Sequence, residues 1–319
     1  MSLIEVVQLK KLQLIAGAIQ TIDECIVEAR RKSAKPGEVE YVATLVIEGT
    51  KKLGRNWSSI LSAHGIDINI TGIFCHQKPK IKFPGTSMHS IEIGDLLFCH
   101  FHTNKNNEEM RNAILYQAKM CGRQISKFGG NELKQFKLYS EWPEFKYVHP
   151  NLGKKTRQII PSAPRRGAEY LLIDKKPLCI DPFHPCLPCL PLSPRRHLSY
   201  EMIELLEFLA GDPFDSQSAS TNPSRNDWST VIWDLLHISA VSKFTRFNAG
   251  YIARDRIIEF SSANSQTTPI LLRLLGEDRA RQLIERSGQR DVGDSNLTVN
   301  DTDRGVSCII LETRERPLD

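Results

Sequence analysis

Asp95 and the triplet Gln117-Ala118-Lys119 are the residues of this chain best suited to act on one substrate together. Cutting a phosphodiester means bringing water to a phosphorus shielded by negative oxygens. A divalent cation helps by lowering the pKa of that water, screening the oxygens and stabilising the leaving alkoxide. Mg²⁺ takes hard oxygen ligands and keeps several waters, so few ligands need come from protein. Asp95 can supply one carboxylate oxygen, Gln117 its amide oxygen and Ala118 its backbone carbonyl. Lys119 can then orient the nucleophile or steady the pentacovalent phosphorus. A glutamate from a neighbouring helix would complete the charge balance. Glu40 is the candidate, with Glu38 as the fallback.

These residues meet only if the chain between them folds back on itself. Ile91 to Met120 reads as two strands joined by the polar loop Asn104-Lys-Asn-Asn-Glu-Glu109. Side chains alternate faces along a strand, so Gln117 and Lys119 share one face and Ala118 takes the other. If the hairpin turns midway between Asn106 and Asn107, Asp95 comes opposite position 118. A stable hairpin does not need a carboxylate, an amide and an ammonium gathered there. The plain reading remains an exposed hairpin with a surface Gln and Lys.

Around the hairpin, apolar residues at helical spacing predict one long amphipathic helix from Leu3 to Arg31 and a second from Glu38 to Lys52, stopped by Gly54. Ile66 to Cys75 and Lys78 to Phe83 read as extended. Asn131 to Glu141 reads as a helix ended by Pro143, Lys154 to Gly167 as loop, and Ala168 to Ile173 as a strand. Proline is dense from Pro177 to Pro194, which predicts no regular element there. Beyond it, helices are expected over Ser199–Ala210, over Asp227–Val241 with Asp227 as N-cap, and as a broken pair around Gly276 within Pro269–Ser287. Polar loops are expected over 214–226 and 288–304, and a closing strand over Val306–Leu311.

Asp95 followed by Gln117-Ala118-Lys119, on an order of helix, three strands, helix, strand, resembles the PD-(D/E)xK nuclease superfamily in its Gln-x-Lys variant. The resemblance covers about residues 36 to 175. It implies a restriction-endonuclease-like core in which Asp95 binds metal, Gln117 takes the place of the usual acidic ligand and Lys119 is catalytic. The acidic residue of the leading helix would map to Glu40. Gly94 stands where many members have proline. Gln in place of Glu removes a negative charge and should weaken cation affinity, leaving a site that DNA or a partner completes. A restriction, defence or mobile-element setting is implied by the resemblance alone.

The totals suit such a protein without requiring it. The chain has 319 residues, 40% hydrophobic and 25% charged, with a formal charge of +5. Basic groups cluster at Arg30-Arg31-Lys32, Lys78/Lys80/Lys82, Lys154-Lys155/Arg157, Arg165-Arg166 and Arg195-Arg196. Such clusters read as solvated surface or as a phosphate-binding face. Lys78, Lys80 and Lys82 alternate along an extended stretch and so share a face, which favours contact with nucleic acid. No apolar run approaches the ~18 residues that span a bilayer, and Met1 to Arg30 lacks a cleavage site, so a cytoplasmic protein with no membrane partner is expected. Cysteines in that compartment argue against a disulfide framework. Cys179, Cys186, Cys189, His184 and His197 could hold structural Zn²⁺, but the Cys186–Cys189 pair lacks a second pair and ordinary loop cysteines are the simpler reading. His100 and His102 share a face and could bind a metal, although packed histidines are the commoner case. His76 precedes the basic strand and could touch phosphate. Neither a nucleophile elbow nor a phosphate-cradling glycine loop is present.

The expected fold is α/β (α+β), a central mixed sheet flanked by helices. The expected division is a nuclease core with its N-terminal helix over 1–175, a Pro/Cys-rich linker over 176–198, and a mainly helical region over 199–319 that packs on the core or binds a partner. The expected activity is Mg²⁺-dependent endonucleolytic hydrolysis of DNA, with Mn²⁺ able to substitute. Cutting both strands needs two sites, which suits a homodimer or a partner protein. The alternative is a nuclease-like module that binds nucleic acid or a protein without cutting.

Overall fold

The computed structural model describes residues 1–75, 79–85, 90–122, 124–149, 152, 156–160, 166–175, 181–194, 196–216, 227–241, 246–247, 259–263, 268–287 and 305–317. α1 (Leu3–Leu9) and α2 (Lys11–Lys32) replace the single long helix expected at the N-terminus. The break falls at Lys10, whose φ of −105° and ψ of 11° leave the helical region. α3 (Glu38–Thr44) runs through a π turn, Leu45–Gly49, into α4 (Thr50–Leu61). It passes Gly54 because that glycine is a packing position rather than a stop. A Cβ there would lie 2.2 Å from the Cβ of Ala263.

Five strands follow: β1 (Ile66–Phe74), β2 (Lys80–Lys82), β3 (Ile91–Glu92), β4 (Leu96–Thr103) and β5 (Glu109–Cys121). Next come α5 (Gly130–Glu141), β6 (Phe145–Tyr147), β7 (Thr156–Arg157) and β8 (Ala168–Asp174). The rest consists of β9 (Phe183–Cys186), α6 (Leu198–Leu206), β10 (Asp212–Pro213), α7 (Trp228–Val241), β11 (Arg246–Phe247) and β12 (Glu259–Ser262). α8 (Pro269–Leu275), α9 (Glu277–Ser287) and β13 (Ser307–Glu315) complete it. The α8–α9 break sits at Gly276, with φ of +77°, as its sequence suggests. Of the expected loop over 214–226, residues 217–226 lie outside the described residues, as does the whole of the expected loop over 288–304.

Among the described residues the main sheet has the order β11-β12-β1-β13-β4-β5-β8-β9, with β10 also on β5. It is mixed: β4 and β5 are antiparallel, whereas β13 runs parallel to β4 and β5 parallel to β8. β13 therefore lies between β1 and β4, two strands from the N-terminal third of the chain. The Pro-rich stretch contributes β9 where no element was expected. It is an edge strand, where Pro185 costs no ladder bond. A smaller sheet has the order β3-β2-β6-β7, and it draws Thr156–Arg157 out of the expected loop.

Both faces of the main sheet are covered, which is why β4 reads as an unbroken apolar run. On one face Leu97, Cys99 and Leu115 pack with Leu138 of α5, Val231 and Leu235 of α7 and Leu271 of α8. On the other, Phe98, Ile114 and Tyr116 pack with Leu14 of α2, Trp57 of α4 and Met202 of α6. No helix among the described residues is long and apolar enough to cross a membrane.

Candidate active site

The turn between β4 and β5 sets the register. Asn104 Oδ1 accepts from the N–H groups of Asn106 and Glu108, both at 2.9 Å, and Asn107 takes a φ of +61°. This loop pairs Thr103 with Glu109 and, at the far end, Leu96 with Tyr116. One step further, Asp95 falls level with Gln117. The turn thus centres on Asn106, and Asp95 faces Gln117 rather than the expected position 118. Asp95, Gln117 and Lys119 consequently share the face of Leu97 and Leu115.

At this point β5 outruns β4. Asp95 still donates its N–H to the Tyr116 carbonyl at 2.8 Å. Beyond that bond, the next amides on this edge of β5 meet carboxylates instead of a strand. Ala118 N–H donates to Asp95 Oδ2 at 2.8 Å, and Met120 N–H to Glu38 Oε1 at 2.7 Å. A strand residue's N–H and C=O leave on the same side, so the Ala118 carbonyl also faces this gap. The chain enters the fork from the small sheet, crossing between sheets over Ile93–Asp95. Gly94 makes the crossing possible. A Cβ there would lie 2.7 Å from both Leu115 Cδ1 and Tyr139 Oη, and Tyr139 of α5 donates to the Ile93 carbonyl at 2.9 Å. That is a physical reason for glycine where the resemblance has proline.

The fork opens into a cavity of about 140 Å³ lined by Glu38, Glu92, Asp95, Gln117, Lys119 and Ser307 among others. Its electrostatics are unbalanced. Burial pushes Asp95 up to about 8, with Glu92 and Glu38 adding to the shift while Lys119 and the Ala118 N–H draw it back. Burial also raises Glu92, against the pull of Lys80 and Lys119. Lys119 lies 3.9 Å from Glu132 of α5. Gln117 Nε2 donates to Asp95 Oδ2, which leaves Gln117 Oε1 buried and without a partner. The converging donors are all oxygens, the set a hard cation takes. Among the described residues no three His, Cys, Asp or Glu side chains stand close enough to hold one ion. An ion here would therefore rest on Asp95, the Gln117 amide oxygen, the Ala118 carbonyl and water.

Glu40 is placed elsewhere. Its Oε2 accepts from Gly37 N–H at 2.8 Å, the one half of a capping box that a glycine N-cap allows, at the start of its own helix, and it is Glu38 that reaches the fork. Lys80 and Lys82 do share a face, opposite the buried Ile81, while Lys78 and His76 lie outside the described residues. Lys80 pairs across strands with Glu92, and Lys82 with Lys146 of β6. Several residues of the other basic clusters are engaged in ion pairs: Arg31 and Lys32 with Glu28, Arg157 with Asp234, and Arg196 with Glu169, Glu201 and Glu204; Lys154, Lys155, Arg165 and Arg195 lie outside the described residues.

Cys186 is buried on β9, Cys189 is exposed, and both are free thiols, with Cys179 outside the described residues. His184 contacts the Arg196 carbonyl at 3.1 Å and Asp174 at 3.3 Å, and His197 the Asp181 carbonyl at 2.8 Å. His100 and His102 sit on the sheet face away from Asp95 and share Thr313 Oγ1, at 2.8 and 2.9 Å. Burial lowers His100 to about 3, so it stays neutral.

Glu92, Ser307 and Lys146 were not singled out in the sequence. Glu92 alone left a trace, since a polar residue between Ile91 and Ile93 marks the outer face of a strand; Ser307 reaches the cavity only through long-range pairing. No family model matches the chain, and neither the curated proteins nor the solved structures hold a significant match.

Proposed function

We propose that the chain is a divalent-cation-dependent nuclease that hydrolyses DNA phosphodiesters. The observation that supports this most is the fork itself: Asp95, Gln117 and Lys119 on one face where β5 outruns β4, with Glu38 and Glu92 beside them. Asp95, Glu38 and Glu92 converge on this small cleft against the ammoniums of Lys119 and, at the rim, Lys80; burial and mutual repulsion favour the protonated form of Asp95, and a cation would let it ionise. Mg²⁺ or Mn²⁺, when bound, would lower the pKa of the attacking water and screen the phosphate. Asp95 and Gln117 would hold it once the Gln117 amide turns so that Oε1 faces the shared space. Glu38 holds α3 to β5 through Met120 N–H and adds a second carboxylate. Lys119, its side chain mostly buried, keeps an ammonium at the cleft to orient water or steady the phosphorus.

The basic face of the small sheet supports DNA as the substrate. It begins at the rim of the cleft, where Lys80 stands across from Glu92, and continues to Lys82 opposite Lys146. Like charges directly opposite each other destabilise a sheet, and a phosphate lying over the pair would offset that cost. A homodimer would bring two clefts to opposite strands.

A second reading, a nuclease-like module that binds without cutting, is favoured by one observation. Asp95 and Glu38 already cap β5 amides, a structural task that needs no substrate. Supercoiled plasmid incubated with Mg²⁺, Mn²⁺ or EDTA separates the two. The nuclease reading expects metal-dependent nicking, lost in Lys119→Ala while the circular dichroism spectrum and Tm stay those of the parent. Binding without cutting in every condition supports the second reading, and a Lys119→Ala protein that cuts as well as the parent ends the assignment.

A further inference from the structure

A second cavity, of about 540 Å³, opens at the opposite end of the same strands, and Asn69, Phe101, Arg111, Ile270, Glu312 and Arg314 are among its lining residues. That volume is typical of a small-molecule site. Four of these residues form a row across adjacent strands. Asn69 of β1 is level with Glu312 of β13, Glu312 with Phe101 of β4, and Phe101 with Arg111 of β5. They lie on the same sheet face as Asp95, and Phe101 is about 20 Å along β4 from it at ~3.3 Å per residue.

Three of the four carry a buried polar atom with no partner: Asn69 Oδ1, Glu312 Oε2 and Arg111 Nε. Such atoms are rare in folded proteins, and each asks for an explanation. Their sister atoms are engaged. Glu312 Oε1 accepts from Ile270 N–H at 3.0 Å, Asn69 Nδ2 donates to Thr71 Oγ1 at 3.5 Å, and Arg111 pairs with Glu109. The neighbouring carboxylates are paired as well, Asp67 with Arg316 at 2.5 Å and Glu109 also with Arg273 at 3.1 Å. Among the described residues Glu312 is the carboxylate of this cavity with no ion pair, Arg273 acting on it only at longer range. Burial pushes it up to about 7, with Thr268, the Ile270 N–H and Asn69 drawing it back.

We propose that this cavity binds a small ligand presenting two N–H donors from one carbon, as a guanine base edge or a guanidinium group does. Glu312 Oε2 and Asn69 Oδ1 are its acceptors and Phe101 its apolar wall. A guanine edge also carries a carbonyl oxygen for Arg111 Nε, which a free guanidinium lacks. The site is independent of the nuclease reading, since it shares no lining side chain with the cleft at Asp95.

Isothermal titration of the full chain with guanosine monophosphate, arginine and, as control, adenosine monophosphate tests this. Saturable binding of the guanosine nucleotide or of arginine is expected, with none of the adenosine nucleotide, and the two positive arms identify the source of the donor pair. Glu312→Gln should weaken binding at least tenfold with an unchanged Tm. Binding should also release a proton, read as a heat that varies with the buffer, because N–H donors favour ionised Glu312. If Glu312→Gln does not fold, Asn69→Ala carries the same expectation. Failure of both ligands to bind, equal binding of the adenosine nucleotide, or parent-like binding by the variant would each overturn the proposal.

Discussion

Asp95→Asn should make the cation-free protein more stable in alkaline solution, by an amount that follows from the fork. Burial holds Asp95 up to about 8 in the folded chain, against ~3.9 for an unfolded aspartate. The folded protein keeps this proton over a range in which the unfolded chain has lost it. The stability tied to Asp95 is therefore complete below about pH 4 and is lost as pH rises through the folded value. At ~1.4 kcal/mol per unit, the span sets a ceiling of about 5–6 kcal/mol. Asp95 is only part-buried, and water at the cleft screens much of this, so a loss of ~2 kcal/mol is expected. Asn keeps the local contacts, because Ala118 N–H and Gln117 Nε2 both donate to the same oxygen, Oδ2. Burial also raises Glu169, Glu201 and Glu312, so only the difference between parent and variant isolates Asp95. Urea unfolding in EDTA across this pH range measures it. The two curves should meet in acid and separate towards alkaline pH with the variant the more stable. Mg²⁺ at saturating concentration should then stabilise the parent more than the variant, since a ligand that binds only the folded state adds RT ln(1 + [L]/Kd). Curves that run parallel from acid to alkali would refute a buried, titrating carboxylate at the fork.

Gly94→Ala should cost about 1–3 kcal/mol in denaturant unfolding through overpacking against Leu115 and Tyr139, and a neutral result would mean that both side chains give way. Glu38→Gln should slow plasmid cleavage at least tenfold, a loss of ~1.4 kcal/mol in the barrier. Glu40→Ala should instead lower stability by about 1.5–3 kcal/mol through loss of its hydrogen bond from Gly37 N–H and leave cleavage by folded protein unchanged; the reverse pattern would return Glu40 to the site. Lys82→Ala and Lys146→Ala should each reduce the slope of log binding constant against log salt by ~0.9 on duplex DNA, whereas unchanged slopes would place the DNA elsewhere.

How much of this could be read from the residues depends on how far apart in the chain the cause lies. The Asp95–Lys119 hairpin was legible because alternation and a short polar loop are local. Even its one-residue offset has a local source, the Asn104 side chain gathering the N–H groups of Asn106 and Glu108. The choice between Glu38 and Glu40 was not legible. Both lie in the first turn of α3, and only the packing of that helix against β5 directs one to Met120 N–H and the other to its own N-terminus. Likewise Gly54 looked like a stop in sequence, while contact with Ala263 makes it a close-packing point within a longer helix.

By itself, then, the sequence determined the mixed α/β class, most element positions, and the shared face of Gln117 and Lys119, because periodicity and turn chemistry act over a few residues. The tertiary structure alone decided that β13 inserts between β1 and β4, bringing Ser307 to the cleft and Glu312 to the distant cavity. It also decided that Glu92 and Lys80 meet across the small sheet at the cleft's rim. Those pairings join residues far apart in the chain, and no local preference specifies them. Burying both faces of one sheet does.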